Sequence, residues 1–371
     1  MRDIAPASWN ALSVEGYPFL RHEFLAALEQ QACLGRAVGW FPNHLLCEDS
    51  DGNLVGALPM YLRANSFGEF VFDWAWAQAH ERSGLDYYPK LVVASPFTPA
   101  TGPRLLVAAD ADRQIVAPAL IDAALDSAEE LRVSSIHWLF ATDVELSTSS
   151  RLLSRMGYQF HWENAGYRDF EDFLQNLTSK RRKEIRRERR QVAAAGITLE
   201  RIHGHEAEEC AWDLFHRLYR LTFTKHGNYA ALSLGFFRQL ARSMGEQILL
   251  LLARQRGREI AAGFFFIGSD TLYGRYWGAL EEIPALHFEV CYYQGIEYCI
   301  DKGLRRFEPG AQGEHKVSRG FDPRPTWSHH WIADPQLRQA IARFLRREAV
   351  DVEAYMRSLS THSAYRNTTA C

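Results

Sequence analysis

Apolar and polar positions alternate in the same order twice along this chain. Residues 45–59 read as strand, polar turn with Gly52, strand, and residues 249–266 repeat that pattern around Gly257. Aligning the two glycines gives an offset of 205 residues. Helical periodicity precedes each hairpin, around 22–30 in the first case and over 210–224 and 236–244 in the second. An aromatic stretch follows each, 70–76 and 272–277, and both are expected as strands. A helix and a strand close each copy, 116–131 into 135–140 and 287–302 into 304–308. Two α/β (α+β) units of similar order are the simplest account. The expected domains are 1–165 and 166–371. The first carries an extra segment, about 77–113, rich in Pro and Tyr and expected as a lid or as packing.

Charge changes this picture at one place. Lys180–Arg190 holds eight Lys/Arg and two Glu, a local charge of +6 in a chain whose formal charge is −3. The block has helical form, over about 179–195, with Ser179 placed as N-cap and Gly196 placed to stop it. A strand-like alternation follows over 197–202. Two readings stand side by side: a solvated face whose cations pair with acidic neighbours, or a phosphate-binding surface made by Lys180, Arg181, Arg182, Lys183, Arg186, Arg187 and Arg190. No aromatic residue interleaves the run, so base stacking by this segment is not expected.

Composition narrows the classes. With 371 residues, 47% hydrophobic and 13% aromatic, the chain has ample material for two cores. Its apolar runs, such as 248–253, are too short to cross a bilayer, and residues 1–6 show no signal-peptide core. The six cysteines have no paired or metal-like spacing, so no metal is expected and the expectation is a soluble cytoplasmic protein. Gly-x-Ser-x-Gly, Walker and His-Glu-x-x-His motifs are missing, which leaves hydrolase, ATPase and metalloenzyme classes without support.

Helix, hairpin with a charged glycine turn, aromatic strand, helix, strand is the order of the GNAT N-acyltransferase fold, and a tandem pair resembles the Fem-type transferases. The run 177–190 with Ala195-Gly-Ile197 looks like that family's opening of the second repeat. Phe307-Glu-Pro-Gly-Ala-Gln-Gly-Glu-His-Lys-Val-Ser-Arg-Gly-Phe321 is similar to its strand-loop element. Phe72-Asp-Trp-Ala-Trp76, Tyr87-Tyr-Pro-Lys-Leu91 and Tyr273-Gly-Arg-Tyr-Trp-Gly278 resemble a Fem-like bacterial subgroup tied to peptidoglycan biosynthesis. The resemblance implies tandem GNAT-like domains, each a mixed, mostly antiparallel sheet flanked by helices. It also implies transfer of an aminoacyl or acyl group from an activated donor, aminoacyl-tRNA first, to an amine acceptor. The usual pyrophosphate loop of acyl-CoA enzymes is replaced here by Gly278–His287, with two acids and Pro284, so no cofactor is expected and acyl-CoA is the alternative donor. A non-catalytic module that holds RNA or another anionic ligand is the third reading. The long coiled-coil arm common in Fem-type proteins has no counterpart.

Amide formation needs a deprotonated amine, a donor for the oxyanion and a cleft that aligns them. The densest polar constellation is Glu308, Gln312, Glu314, His315, Lys316 and Arg319, on a loop punctuated by Gly310, Gly313 and Gly320. Glu308 or His315 is the expected proton acceptor. Lys316, the position of the family's loop lysine, is the expected oxyanion or phosphate partner. The competing reading is a polar surface loop held by its own ion pairs. Substrate contacts are expected from His287 and Glu289 at a helix start, where Glu289 also fits the helix dipole. They are also expected from Tyr273, Arg275 and Trp277 alternating on one strand face, and from Asp73, Trp74 and Lys90 of the first repeat as an acceptor site. The cleft is expected on the second repeat or between the two.

Overall fold

A computed structural model describes residues 1–12, 16–311 and 313–366. Its strands, in chain order, are β1 (Trp40–Pro42), β2 (Leu45–Glu48), β3 (Leu54–Leu58), β4 (Met60–Arg63), β5 (Lys90–Val93), β6 (Leu106–Val107) and β7 (Ser135–Trp138). They continue with β8 (Leu153–Glu163), β9 (Ile197–His203), β10 (Ile248–Gln255), β11 (Arg258–Ile267), β12 (Thr271–Ala279), β13 (Arg306–Glu308) and β14 (Asp322–Ile332). The chain divides into two compact units: Met1–Tyr158 with Pro325–Tyr355, and Gln159–Arg324 with Met356–Cys371.

In the first unit the sheet runs β1, β4, β5, β7, β14, and only the β5–β7 pair is parallel. In the second, β9 leads into β10, β11, β12, β13 and β8, and only β12–β13 is parallel. The fold is therefore a tandem of GNAT-like units. The strand that follows β7 in sequence pairs with β13, and the strand that follows β13 pairs with β7. This exchange makes both units discontinuous. The boundary drawn from the sequence at 165/166 does not contain it, because a strand's partner is chosen by tertiary register and not by local pattern.

Each core follows from the pattern that predicted its elements. The helix Arg113–Glu130 lays Val116, Leu120, Ile121, Ala124, Leu125 and Ala128 against Leu91, Val93, Ile136 and Trp138 of β5 and β7. In the second unit Trp212, Phe215, Tyr219 and Phe237 of two helices meet Phe264 and Tyr276 of β11 and β12. Two expectations are corrected. Residues 70–76 form a loop entering the helix Trp74–Arg82, not a strand; the parallel strand corresponding to β12 is β5. Segment 77–113 is consequently neither lid nor filler, since it supplies β5 and β6. The first hairpin, β2–β3, joins β6 in a separate three-stranded sheet. Among the described residues no helix is long and apolar enough to cross a membrane.

Candidate active site

The parallel pair β12–β13 holds register for three residues, Thr271–Tyr273 against Arg306–Glu308. Beyond that, β12 continues along β11 to Ala279 while β13 ends. The two strands part at Tyr273 and Glu308, and the polar loop predicted from sequence begins there. Gly310, at φ 96°, lets the loop pass close to Gly274, whose carbonyl oxygen would lie 3.3 Å from a side chain at that position. A short 3-10 helix, Glu314–Arg319, then turns Lys316 inward.

Lys316 is 2% exposed. Its Nζ donates to the Gly310 carbonyl at 2.7 Å and the Ala311 carbonyl at 3.4 Å, and it makes no ion pair among the described residues. Burial pulls its pKa from 10.5 to about 7. Imidazoles surround it. His315 shares a 2.8 Å hydrogen bond between Nε2 and the Tyr292 hydroxyl, and its pKa is lowered by burial and by the charges of Lys316 and Arg319. His287 lies 6.2 Å from His315 and 5.2 Å from Trp277, ring to ring, and burial with the same neighbours lowers it to about 4. Neutral imidazoles and a half-titrated amine at neutral pH form a set able to pass protons.

The helix that carries His287 starts as Leu286–Phe288, widens into a π turn at Glu289–Tyr293 and continues as Gln294–Lys302. Such turns redirect side chains inside a helix. Here Tyr292 reaches His315, while Tyr293 donates to Glu188 of the basic helix Ser179–Ala194. Glu188 also receives Arg319 Nη2 at 2.7 Å, and the Arg319 guanidinium stacks 3.5 Å above the Phe288 ring. The glycine loop and the basic helix are thus joined through a buried ion pair.

The basic helix itself divides by face. Ile185, Glu188 and Val192 are buried, and the helix stops at Gly196, whose φ of 71° suits its lack of a side chain. Thr178, not Ser179, stands at the N-cap. Arg181 pairs with Glu184, Arg186 with Glu171, and Arg189 with Glu289 and Glu297. Arg182 is half-buried. Lys180, Lys183, Arg187 and Arg190 are exposed at spacings of three and four, and among the described residues none of them makes an ion pair. They form one cationic stripe about 15 Å long at a rise of 1.5 Å per residue.

The other expected contacts sort as follows. Glu308 is buried, 3.9 Å from His161 Nε2. Tyr273 is buried beside it in register. Glu314 is exposed, and Gln312 lies outside the described residues. Arg275 does not alternate with Tyr273 and Trp277: it is the extra residue of a bulge, because Phe264 and Phe265 oppose Tyr276 and Gly274. Its guanidinium sits 5.2 Å from the Tyr276 ring. Glu289 pairs with Arg189 at 3.1 Å. Asp73 and Lys90 belong to the first unit and are paired there, with Trp74 exposed next to them. Sequence reasoning missed His161, Tyr292 and Glu188. Nothing local marks a histidine on a strand, a tyrosine in a helix or one glutamate in a charged run; only packing singles them out.

A family profile described as FemAB-like, peptidoglycan biosynthesis/recognition, matches residues 1–367. The chain belongs to the FemAB-like family. Solved structures agree on the fold at low identity. FemX is 11% identical with a TM-score of 0.53, covering 91% of this chain and 98% of its own. The structure named L-PGS from Bacillus licheniformis is 11% identical with a TM-score of 0.51, covering 89% and 98%. The C-terminal domain of a putative lysylphosphatidylglycerol synthetase from Agrobacterium fabrum is 9% identical, also at 0.51, covering 83% and 88%. No curated protein sequence matches the chain. In this FemAB-like chain the segment from Leu280 to Ala285, ahead of the helix carrying His287, holds Glu281, Glu282 and Pro284. Glu282 pairs with Lys225 there, and Pro284 offers no backbone N–H.

Proposed function

We propose that this FemAB-like protein forms an amide by moving an aminoacyl group from the ester of an aminoacyl-tRNA to an amine on a peptidoglycan precursor. The carrying observation is Lys316, a buried amine whose partners among the described residues are carbonyls and whose pKa is about 7, on the loop after the parting of β12 and β13. As the acceptor nitrogen attacks the ester carbonyl, the Lys316 ammonium stabilises the oxyanion. When the C–O bond breaks, the ammonium gives its proton to the departing ribose oxygen. The neutral His315 imidazole takes the proton released by the new amide nitrogen, with Tyr292 fixing its ring. His287 and Trp277 line the same place and orient the acyl group. The cationic stripe of Lys180, Lys183, Arg187 and Arg190 supports the tRNA donor, because it offers phosphates a row of exposed charges that make no ion pair among the described residues. The protein is expected to work in the cytoplasm, where that donor is found.

Single-turnover transfer from labelled aminoacyl-tRNA to a muropeptide amine tests this directly. Lys316→Ala is expected to lose about 10²–10³ in rate, the effect of removing one oxyanion donor. Equal rates in variant and wild type would remove Lys316 from the chemistry. Transfer from acyl-CoA in place of aminoacyl-tRNA would favour the other donor.

A further inference from the structure

In the first unit, residues 67–74 invert the usual arrangement of a surface loop. Phe67, Phe70, Phe72 and Trp74 are 51%, 39%, 54% and 48% exposed, while Glu69 and Asp73 between them are each 3% exposed. From Ala64 to Ala79 those two acids are the only charged residues, so this stretch shows solvent aromatic rings and no charge.

The arrangement is held firmly. Arg63 Nε donates to Glu69 at 3.1 Å and its Nη2 to the Phe67 carbonyl at 2.7 Å, with its guanidinium 3.7 Å above the Trp40 ring. Lys90 Nζ donates to Glu69 and to Ser66, each at 2.8 Å, and to Asp73. Phe70 is locked at φ 61°, a left-handed conformation that a bulky side chain rarely adopts. Two carboxylates are desolvated and one backbone position is strained so that the rings point outward; strain of this kind collects where a surface has a task.

A guanidinium ties the loop to a second feature of the same unit. Arg155 Nη1 donates to the Phe72 carbonyl at 2.7 Å, and its Nη2 pairs with Glu348 at 2.7 Å on the helix Pro335–Ser360. That part of the helix exposes Arg343, Arg346 and Arg347, which make no ion pair among the described residues, together with Phe344 and Val350.

We infer that this aromatic loop and the adjoining arginines dock the protein on an anionic lipid bilayer surface. The rings enter the interfacial layer, where Trp and Phe partition well, and the arginines meet lipid phosphates. Charge complementarity favours this occupant over a second copy, since a two-fold pairing sets the same arginines against each other. A single-stranded RNA platform interleaves cations with its rings, and this loop turns its only charges inward. The inference does not rest on the proposed transfer reaction.

Co-sedimentation with vesicles of phosphatidylcholine, with and without phosphatidylglycerol, tests it. Wild type is expected to sediment with the phosphatidylglycerol vesicles. Phe70→Ser/Phe72→Ser should bind about tenfold more weakly or worse, with its thermal midpoint not lowered because both rings are exposed. Arg343→Gln/Arg346→Gln/Arg347→Gln should lose the preference for phosphatidylglycerol and its salt dependence. In the wild type, brominated lipid should quench tryptophan emission, and the conservative Trp74→Phe should remove most of that quenching, a readout independent of the loop variants' folding. Wild type that stays in the supernatant, quenching that survives Trp74→Phe, or an RNA oligonucleotide bound through these rings in place of vesicles would each overturn it.

Discussion

Two lysines beside corresponding strand pairs have opposite electrostatic fates. Lys90, on β5 of the first unit, is fully buried and meets Glu69 and Asp73. Burial works to raise the Asp73 pKa, but the Lys90 charge, with hydrogen bonds from Lys90 and Tyr87, holds it below the usual carboxylate value. Lys316, on the short 3-10 helix that follows β13 in the second unit, is buried almost as deeply and, among the described residues, donates only to carbonyls. A buried charge with its counter-charges is a structural element; one without them is pushed toward neutrality and becomes able to exchange a proton. The contrast supports the proposed placement of the chemistry in the second unit, although both units share the same order of pairing.

The largest expected effect would break the contrast from the structural side. Lys90→Met leaves buried Asp73 without its cation and Glu69 with Arg63 alone, and should cost about 3–5 kcal/mol, seen as a drop of roughly 10 °C in thermal midpoint. Next, Lys316→Ala should lower transfer while the thermal midpoint at pH 7 holds. A midpoint that falls as far as in Lys90→Met would make the two lysines alike.

The pH dependence of stability sharpens the same point. In the unfolded chain Lys316 keeps its proton up to about pH 10.5; in the folded protein it keeps it only to about 7. The unfolded state therefore binds more protons between those values, and this group makes stability rise as pH increases from about 7 toward 10.5. In chemical denaturation at pH 7 and pH 9, Lys316→Met should flatten that rise; an identical slope would contradict the lowered pKa. As a proton donor Lys316 should also make the transfer rate fall above about pH 7. The smallest effect belongs to the stripe. Lys180→Gln/Lys183→Gln/Arg187→Gln/Arg190→Gln should reduce the salt slope of tRNA binding by about 0.7–0.9 per charge removed, measured by filter binding.

Much of the fold was legible because its signals are local. The hairpins around Gly52 and Gly257, the helix His22–Gln30 and the basic helix ending at Gly196 each sit where periodicity and turn chemistry put them. The loop with Lys316 was legible as a glycine-spaced polar run. The stretch 70–76 misled because its alternation of aromatics with Val71 and Asp73 copies a half-buried strand, yet Asp73 is the residue that goes in and Phe72 and Trp74 stay out. That inversion depends on Lys90, seventeen residues further on and recruited by the fold.

By itself the sequence determined the helices near 22–30, 116–131, 179–195, 210–224, 236–244 and 287–302, the hairpins, the doubled order of elements and the place of the cationic block, since backbone propensity and the periods of 2 and 3.6 act over a few residues. Tertiary structure alone decided that β8 and β14 exchange partners, that Arg275 bulges from β12, and that Lys90 meets two carboxylates while Lys316 meets carbonyl groups. Strand register and desolvation depend on which distant groups come together, and no local window holds that information.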